Sequence, residues 1–430
     1  MPDAAFRIFR GSHQIGGCSS EFRLGDHRII IDFGANLPGT EGVQIDDEKL
    51  KSIVFGNDDD IAATDAVLFT HYHGDHVGLK RFVPKSVPMY IGKTAKEIMQ
   101  IIAKRTDRVS EVQEMQVIER MKPYWDPGTP NDFGGISVTP LYIDHSALDS
   151  YMFVIEMNGK RILYTGDFRD HGINGGVFER LVKKYVGKVD ILITEGTMLS
   201  RTKETAANIV KTEDDLGREA AKVFAAHHEN VVVVSSTNLD SIMEFYHAVP
   251  KDKAFLCDAY QAEIMQAAIN AVNMGKYRYG KNIYVICPNN YKGFMHDLKE
   301  PHFIMADKTK YDPKGFVMLA RPNNPMFKKL LAGMHDPHIT YSMWSGYLKG
   351  GRCEDKNIVD FLSGHDGFTQ LHTSGHAYVE TLAKLIEMTQ PEVIIPMHTE
   401  SADEFAEVPE FAAYKDRVNV LRDGEVYNIN

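Results

Sequence analysis

The chain has 430 residues, too many for one small core, so two or three domains are expected. Its 43% hydrophobic and 25% charged content is that of an ordinary globular protein and excludes a fibrous or disordered chain. A net charge of −11 excludes a global positive field for nucleic acid, which leaves only a local basic groove or bound cations to attract one. The four cysteines (Cys18, Cys257, Cys287, Cys353) are far apart and form no C-x-x-C, so neither a zinc knuckle nor a redox pair is expected. Sparse cysteine fits a reducing compartment, and Met1 to Arg10 lacks a signal pattern. No apolar run reaches about 18 residues. The expected location is therefore cytoplasmic, with no membrane partner.

In chain order, Phe6 to Phe9 reads as a first strand. Ser19 to Leu24 and Arg28 to Asp32 read as a hairpin about Gly25-Asp26. Asp32 ends a buried strand, although taken alone it is equally a turn residue. Ala66 to Phe69 is a short apolar strand that runs into Thr70 to Gly78, T-H-Y-H-G-D-H-V-G. A short helix is expected over Gly78 to Phe82, a strand over Met89 to Ile91, a helix over Thr94 to Thr106, and a helix followed by loops through 107–135. Ile136 to Tyr142 is a strand that delivers Asp144-His145-Ser146. Ser150 to Met157 and Arg161 to Tyr164 form a hairpin across Asn158-Gly159, delivering Thr165-Gly166-Asp167. Asp190 to Thr194 is a strand that ends at Glu195.

From there to about Gly364, five short apolar strands alternate with helical stretches, which predicts a parallel α/β domain. With no G-x-G-x-x-G and no P-loop, a nucleotide cofactor is not indicated. Thr373 and Ser374 read as N-cap residues of a helix over about Tyr378 to Met388. Val393 to Pro396 is a strand leading to His398, and Val418 to Leu421 with Val426 to Ile429 reads as a closing hairpin.

The chemistry gathers at strand ends. Imidazole and carboxylate suit zinc, and carboxylate also accepts manganese. A loop leaving a strand splays its side chains, so His71 and His73 can meet one metal and Asp75 and His76 a second. His145 joins the first pair, His398 joins the second, and Asp167 bridges through its two oxygens. Two divalent ions would share a hydroxide and hold both oxygens of a hydrolysis. Asp32 stands behind them, orienting a ligand or the nucleophile. Free backbone N–H groups at the expected helix start favour a phosphate, and His376 beside it would protonate a leaving oxygen, held by Glu195.

These residues, in this order, resemble the metallo-β-lactamase superfamily. Asp32, H-Y-H-G-D-H at 71–76, His145 and Asp167 match its first four motifs. Glu195 in T-E-G-T, His376 in T-S-G-H-A and His398 in P-M-H-T-E resemble the three extra motifs of the β-CASP nucleases. Histidine at the third, with D-H-S at 144–146 and T-G-D-F-R at 165–169, is most similar to RNase J-type ribonucleases.

The resemblance implies an α/β four-layer αββα fold in two sequence pieces, 1–200 and 366–430, with an inserted parallel α/β β-CASP domain at 201–365. It implies catalytic roles for Asp32, Asp75, Glu195 and His376, and metal ligation by His71, His73, Asp75, His76, His145, Asp167 and His398. Substrate contacts fall to Ser374, Gly375, His376 and Arg169, with two divalent ions per chain, zinc first and manganese accepted. The substrate implied is single-stranded RNA, lying between the domains, and a homodimer is allowed. Tyr347 or Trp344 would stack on bases, and Arg201, Lys203, Lys349 or Arg352 would meet phosphates.

Two departures stand out. The chain stops about thirty residues past His398, without the further C-terminal domain of RNase J, and Tyr341 to Tyr347 differs from the RNase J phrase expected there. The expectation is a metal-dependent exo- or endoribonuclease. The alternatives are a DNA nuclease, a small-ester or lactone hydrolase on the same metals, and a non-catalytic scaffold.

Overall fold

The computed structural model describes residues 3–38, 45–56, 64–105, 108–201, 210–271, 279–280, 283–287, 298, 303–305, 314–365 and 367–430. Lys203, expected to meet phosphates, lies outside them. The chain forms two compact units. One comprises Met1–Asp170, Asn174–Ala206 and Gly375–Asn430, and the other His171–Ile173 and Ala207–Ser374.

The first unit opens with strands β1 (Ala4–Arg10), β2 (Ser19–Leu24), β3 (His27–Ile31), β4 (Ala66–Leu68), β5 (Met89–Ile91) and β6 (Met121–Pro123). A second run follows: β7 (Asn131–Phe133), β8 (Ile136–Ile143), β9 (Ser150–Met157), β10 (Lys160–Tyr164) and β11 (Ile191–Glu195). The second unit supplies β12 (Glu229–Val234), β13 (Ala254–Asp258), β14 (Ile283–Ile286), β15 (Phe303–Met305), β16 (Phe316–Ala320), β17 (Pro337–Ser342) and β18 (Thr369–Gln370). The chain then returns to the first unit with β19 (Val393–Met397) and β20 (Val426–Asn428).

Two mixed sheets build the first unit, in the orders β20-β1-β2-β3-β4-β5-β6 and β19-β11-β10-β9-β8-β7. Side chains of a strand alternate faces, and here both faces of the second sheet are apolar. Phe153 and Ile155 of β9, Ile162 and Tyr164 of β10 and Ile193 of β11 pack with Phe6, Phe22, Ile29, Ile31 and Leu68 of the first sheet. Their alternates Met152, Val154, Leu163 and Leu192 pack against Phe178, Leu382, Leu385 and Ile386, on helical segments outside that sheet. The helix Asp47–Phe55 buries Leu50, Val54 and Phe55, with the Phe55 ring edge-on to Phe33.

The second unit holds one seven-stranded sheet, β15-β14-β13-β16-β12-β17-β18, parallel throughout. Parallel strands need crossovers, and among the described residues the helices Leu239–Ala248, Ala259–Asn270, Pro325–Ala332 and Lys356–Leu362 follow β12, β13, β16 and β17. The parallel α/β architecture expected from the alternating texture is thus present.

Several expectations are corrected. Val418 to Leu421 does not pair with β20. β20 pairs antiparallel with β1, and Val418 makes only a single bridge to Ile394. Thr373 and Ser374 do not cap a helix, because the helix begins at Val379 with Tyr378 at its N-cap. The stretch after Arg120 contains β6 and β7 rather than loops alone. The turn expected from Gly78 starts earlier, as a helical turn over Gly74–Val77 followed by a 3₁₀ turn over Lys80–Phe82.

Candidate metal centre

β3 and β4 run parallel, as do β10, β11 and β19, and β8 points the same way as β10 because each is antiparallel to β9. Their C-terminal ends therefore deliver side chains toward common edges of the two sheets. Asp32 follows β3, His71 follows β4, His145 follows β8, Asp167 follows β10, Glu195 ends β11 and His398 follows β19. Asp32 (φ 60°) and His398 (φ 50°) both hold the left-handed backbone, an unfavourable conformation for a non-glycine residue. The strain falls on two residues that aim side chains into the cluster.

Asp167 is the hub. Its Oδ2 lies 3.1 Å from His76 Nε2, 3.6 Å from His398 Nε2, 3.7 Å from His376 Nδ1, 3.9 Å from His71 Nε2 and 4.0 Å from His145 Nε2. Asp75 Oδ2 lies 3.4 Å from His398 Nε2 and 3.9 Å from His76 Nε2. One donor atom each from His71, His73 and His145 falls within 4.8 Å of the others, and the same holds for His71, His76 and Asp167. The predicted ligands are thus brought together, and all are buried except the partly exposed His73 and Asp75.

An acceptor on the far nitrogen orients four of these imidazoles. Asp32 accepts from the Thr70 amide (2.7 Å) and hydroxyl (2.8 Å), and its Oδ2 faces His76 Nδ1 at 2.8 Å. Since the Thr70 hydroxyl donates to Asp32, it accepts from His71 Nδ1, 3.0 Å away. Thr197 Oγ1 donates to the His398 carbonyl and accepts from His398 Nδ1 at 2.8 Å. The Gly375 carbonyl accepts from His145 Nδ1. Each pairing fixes the Nδ1–H tautomer and turns Nε2 toward Asp167. His73 is reversed, with Nδ1 3.3 Å from His145 Nε2.

The fit to cations rests on two buried atoms with no hydrogen-bond partner, His71 Nε2 and Asp167 Oδ1, and on His76 Nε2, which lies 3.1 Å from Asp167 Oδ2 without an aligned hydrogen bond. Most buried polar atoms of folded proteins are paired, and unpaired nitrogen and carboxylate donors converging on one volume are what a divalent ion binds. Burial and neighbouring imidazoles hold His71 and His145 well below the usual imidazole range, and burial lowers His73 to about 4. All three are neutral at pH 7, as ligation requires. Burial would raise Asp167, but His398, His76 and His376 hold it well below the carboxylate range.

His376 Nδ1 lies 2.9 Å from Glu195 Oε2, and 18% of the His376 side chain is exposed. Burial works to lower this imidazole, but Glu195 and Asp167 raise it above its ordinary value. Glu195 also accepts from the Phe168 amide at 2.9 Å, which ties it to the segment bearing Asp167.

The substrate-contact expectations fare differently. Arg169 is corrected: it is fully buried, its guanidinium beside Asp144 and its amide donating to the Asp144 carbonyl, so it braces the strand ends rather than facing solvent. Gly375 supports His145, and a Cβ there would lie 2.5 Å from Ser146 Oγ. The Ser374 carbonyl belongs to the second unit, where it accepts from His171 Nε2 at 2.9 Å.

Four contributors escaped the sequence reading. Thr70 and Thr197 set ring orientation. Arg10, fully buried, donates to the carbonyls of Gly17, Ile45 and Gly34 and pairs with Asp47, fixing the loops against Asp75. Cys18, also fully buried, offers sulfur within 4.8 Å of a ring nitrogen of both His76 and His398. The only sequence hint to Cys18 is its place in G-G-C just before β2.

Comparison with known proteins agrees with this geometry. Residues 27–235 match a beta-lactamase superfamily domain, and residues 359–416 match a Zn-dependent metallo-hydrolase RNA specificity domain. Ribonuclease J 1 of Streptococcus pyogenes is 22% identical over 91% of this chain and 67% of its own length. Ribonuclease J of Helicobacter pylori strain B128 is 23% identical over 91% of this chain and 55% of its own. The endoribonuclease YSH1 of Candida glabrata is 24% identical over 51% of this chain and 31% of its own. The chain thus spans between about a third and two thirds of these relatives. A crystal structure of a protein of unknown function from Enterococcus faecalis V583 superposes with a TM-score of 0.74 at 20% identity, covering 99% of this chain and all of that one.

Proposed function

The chain belongs to the metallo-β-lactamase superfamily, a metallohydrolase by its fold and buried donor clusters, and from that premise we propose that it hydrolyses RNA phosphodiesters. The observation that carries the reading is the Glu195–His376 pair standing against Asp167. An imidazole whose charged form is favoured by a buried carboxylate beside a metal cluster is suited to donating a proton to the leaving oxygen of a phosphodiester. RNA as the polymer is supported by the RNA specificity match over residues 359–416 and by relatives that carry ribonuclease names.

His71, His73 and His145 would hold one cation, Asp75, His76 and His398 the second, with Asp167 between them. When bound, the two cations supply Lewis acidity and positive charge toward the scissile phosphate and the incoming oxygen. The chain's own residues do the rest. Asp32 and Thr70 hold His76 and His71 in register. Thr197 holds His398. Glu195 keeps the proton on His376 until the leaving oxygen takes it. Zinc is the proposed metal, given the predominance of nitrogen donors.

The test uses one RNA labelled at its 3′ end, offered as 5′-monophosphate, 5′-triphosphate and circular forms, with zinc or manganese restored after chelation. Cleavage of RNA is expected, with His376→Ala slowed by about 10²- to 10⁴-fold while metal content is unchanged. A ladder that requires the 5′-monophosphate identifies an exonuclease, and cuts in the circles an endonuclease. Cleavage confined to DNA or to small esters contradicts the proposal.

A further inference from the structure

We propose that the Cys18 thiolate is an additional ligand of the cation held by Asp75, His76 and His398, and that it makes this position select zinc over manganese. The inference rests on the metallohydrolase reading above.

Three observations carry it. Cys18 Sγ and one ring nitrogen each of His76 and His398 lie mutually within 4.8 Å, and all three residues are buried. A tetrahedral ion bonded to sulfur at about 2.3 Å and to nitrogen at about 2.1 Å holds those atoms about 3.6 Å apart. Closing the group from its 4.8 Å limit requires at most about 1.2 Å.

Second, His76 Nε2 is buried against Asp167 Oδ2 at 3.1 Å and makes no aligned hydrogen bond, so His76 brings to this region a ring nitrogen oriented for a cation.

Third, the backbone clamps the sulfur between the two ligand-bearing segments. The Cys18 amide donates to the Asp75 carbonyl at 2.9 Å, and the Cys18 carbonyl accepts from Gly34 at 2.9 Å. The His398 amide donates to the Gly11 carbonyl at 2.7 Å. Gly11 (φ 109°) packs directly on the sulfur, and a Cβ there would lie 2.9 Å from it. A side chain at position 11 would push Cys18 aside.

Thiolate is a soft ligand that favours zinc, whereas manganese prefers carboxylate and water. Cation binding forms one sulfur–metal bond and releases one thiol proton to solvent, with no change of oxidation state. The rival role for Cys18 is packing, since it also lies in the apolar interior with Phe22 and Ile8. Packing predicts no spectroscopic signature.

The full-length protein, chelated and then given two equivalents of cobalt(II), is read in the near ultraviolet for sulfur-to-cobalt charge transfer. The band is expected in the wild type and in a C257S/C287S/C353S variant, which retains Cys18 alone, and is lost in Cys18→Ser. Zinc-over-manganese preference in mixed-metal competition should fall at least about tenfold in C18S, comparable to other losses of support at a metal site. Two bound cobalt ions with no charge-transfer band, or a band that survives in C18S, overturns the inference and leaves the metal centre standing. Failure of the wild type to bind cobalt overturns the centre and the inference together.

Discussion

His376 is caught between burial, which discourages its charge, and the Glu195 and Asp167 carboxylates, which favour it; the carboxylates win. If the protonated ring donates to the leaving oxygen, rate falls as pH rises through the raised value. Glu195→Gln removes the nearer charge, so the alkaline limb of kcat against pH moves to lower pH, and an unchanged limb would exclude His376 as the donor. Asp32 acts one step further out, through His76 and Thr70. Asp32→Asn should weaken metal binding about 10- to 100-fold, measured by competition with a chelating dye, without loss of the fold. At this scale the sequence exposed the groups whose chemistry is rare outside sites: clustered histidines at strand ends and the carboxylates among them. It hid Thr70 and Thr197, because a hydroxyl matters here only through the nitrogen it faces. It misdirected at Arg169, where a cation expected at the surface lies fully buried against Asp144.

Strands and turns set the precision of the centre. Parallel pairing of β10, β11 and β19 aligns their ends in one direction, and the register couples Glu195 to Met397, one residue before His398. The turn bearing Asp75 is seated on glycine: a Cβ on Gly34 would lie 1.7 Å from the Asp75 carbonyl oxygen. Backbone cannot yield that far, so Gly34→Ala should destabilise the protein by about 1–3 kcal/mol and lower metal content toward one ion per chain. Denaturant titration and elemental analysis check both, and a fully loaded, fully stable variant would show that the turn tolerates displacement. Long apolar runs and the Asn158-Gly159 turn made most strands readable. The closing hairpin was misread because β20 finds its partner in β1, a pairing 419 to 423 residues distant that no local pattern reveals, since Val426 pairs with Arg7 and Asn428 with Ala5. Thr373 resembles a cap, but its hydroxyl donates to buried Glu213 at 2.6 Å, a long-range partner that outcompetes the local role.

Among the described residues three apolar clusters form, two on the mixed sheets of the first unit and one on the parallel sheet of the second, so a single two-state transition is not expected. Cations at about 100 times their dissociation constant should stabilise the first unit by about 2.7 kcal/mol for each bound ion and leave the second unchanged, which calorimetry of loaded and chelated protein resolves as one moving transition and one fixed. The second unit has its own pH response. Burial, then Asp214, Glu213 and Asp240, raise Glu244 to about 7 from 4.5. Between those values the unfolded chain releases a proton that the folded unit retains, so stability falls as pH rises through this window and levels off above it. Because Glu244 is only partly buried, the effect is on the order of 1 kcal/mol, and Glu244→Gln should abolish it. The alternating texture of strands and helices made the parallel architecture of this unit readable, whereas the joining of His171–Ile173 to it left no sequence signal. The account turns on cations bound by this chain cutting RNA, and the most direct measurement is RNA cleavage by chelated protein as zinc is returned stepwise, alongside Asp167→Asn. It predicts no cleavage without metal, a rate that saturates at two zinc ions per chain, and a variant that stays inactive throughout; cleavage that survives chelation, or an Asp167→Asn protein as active as the wild type, would contradict it.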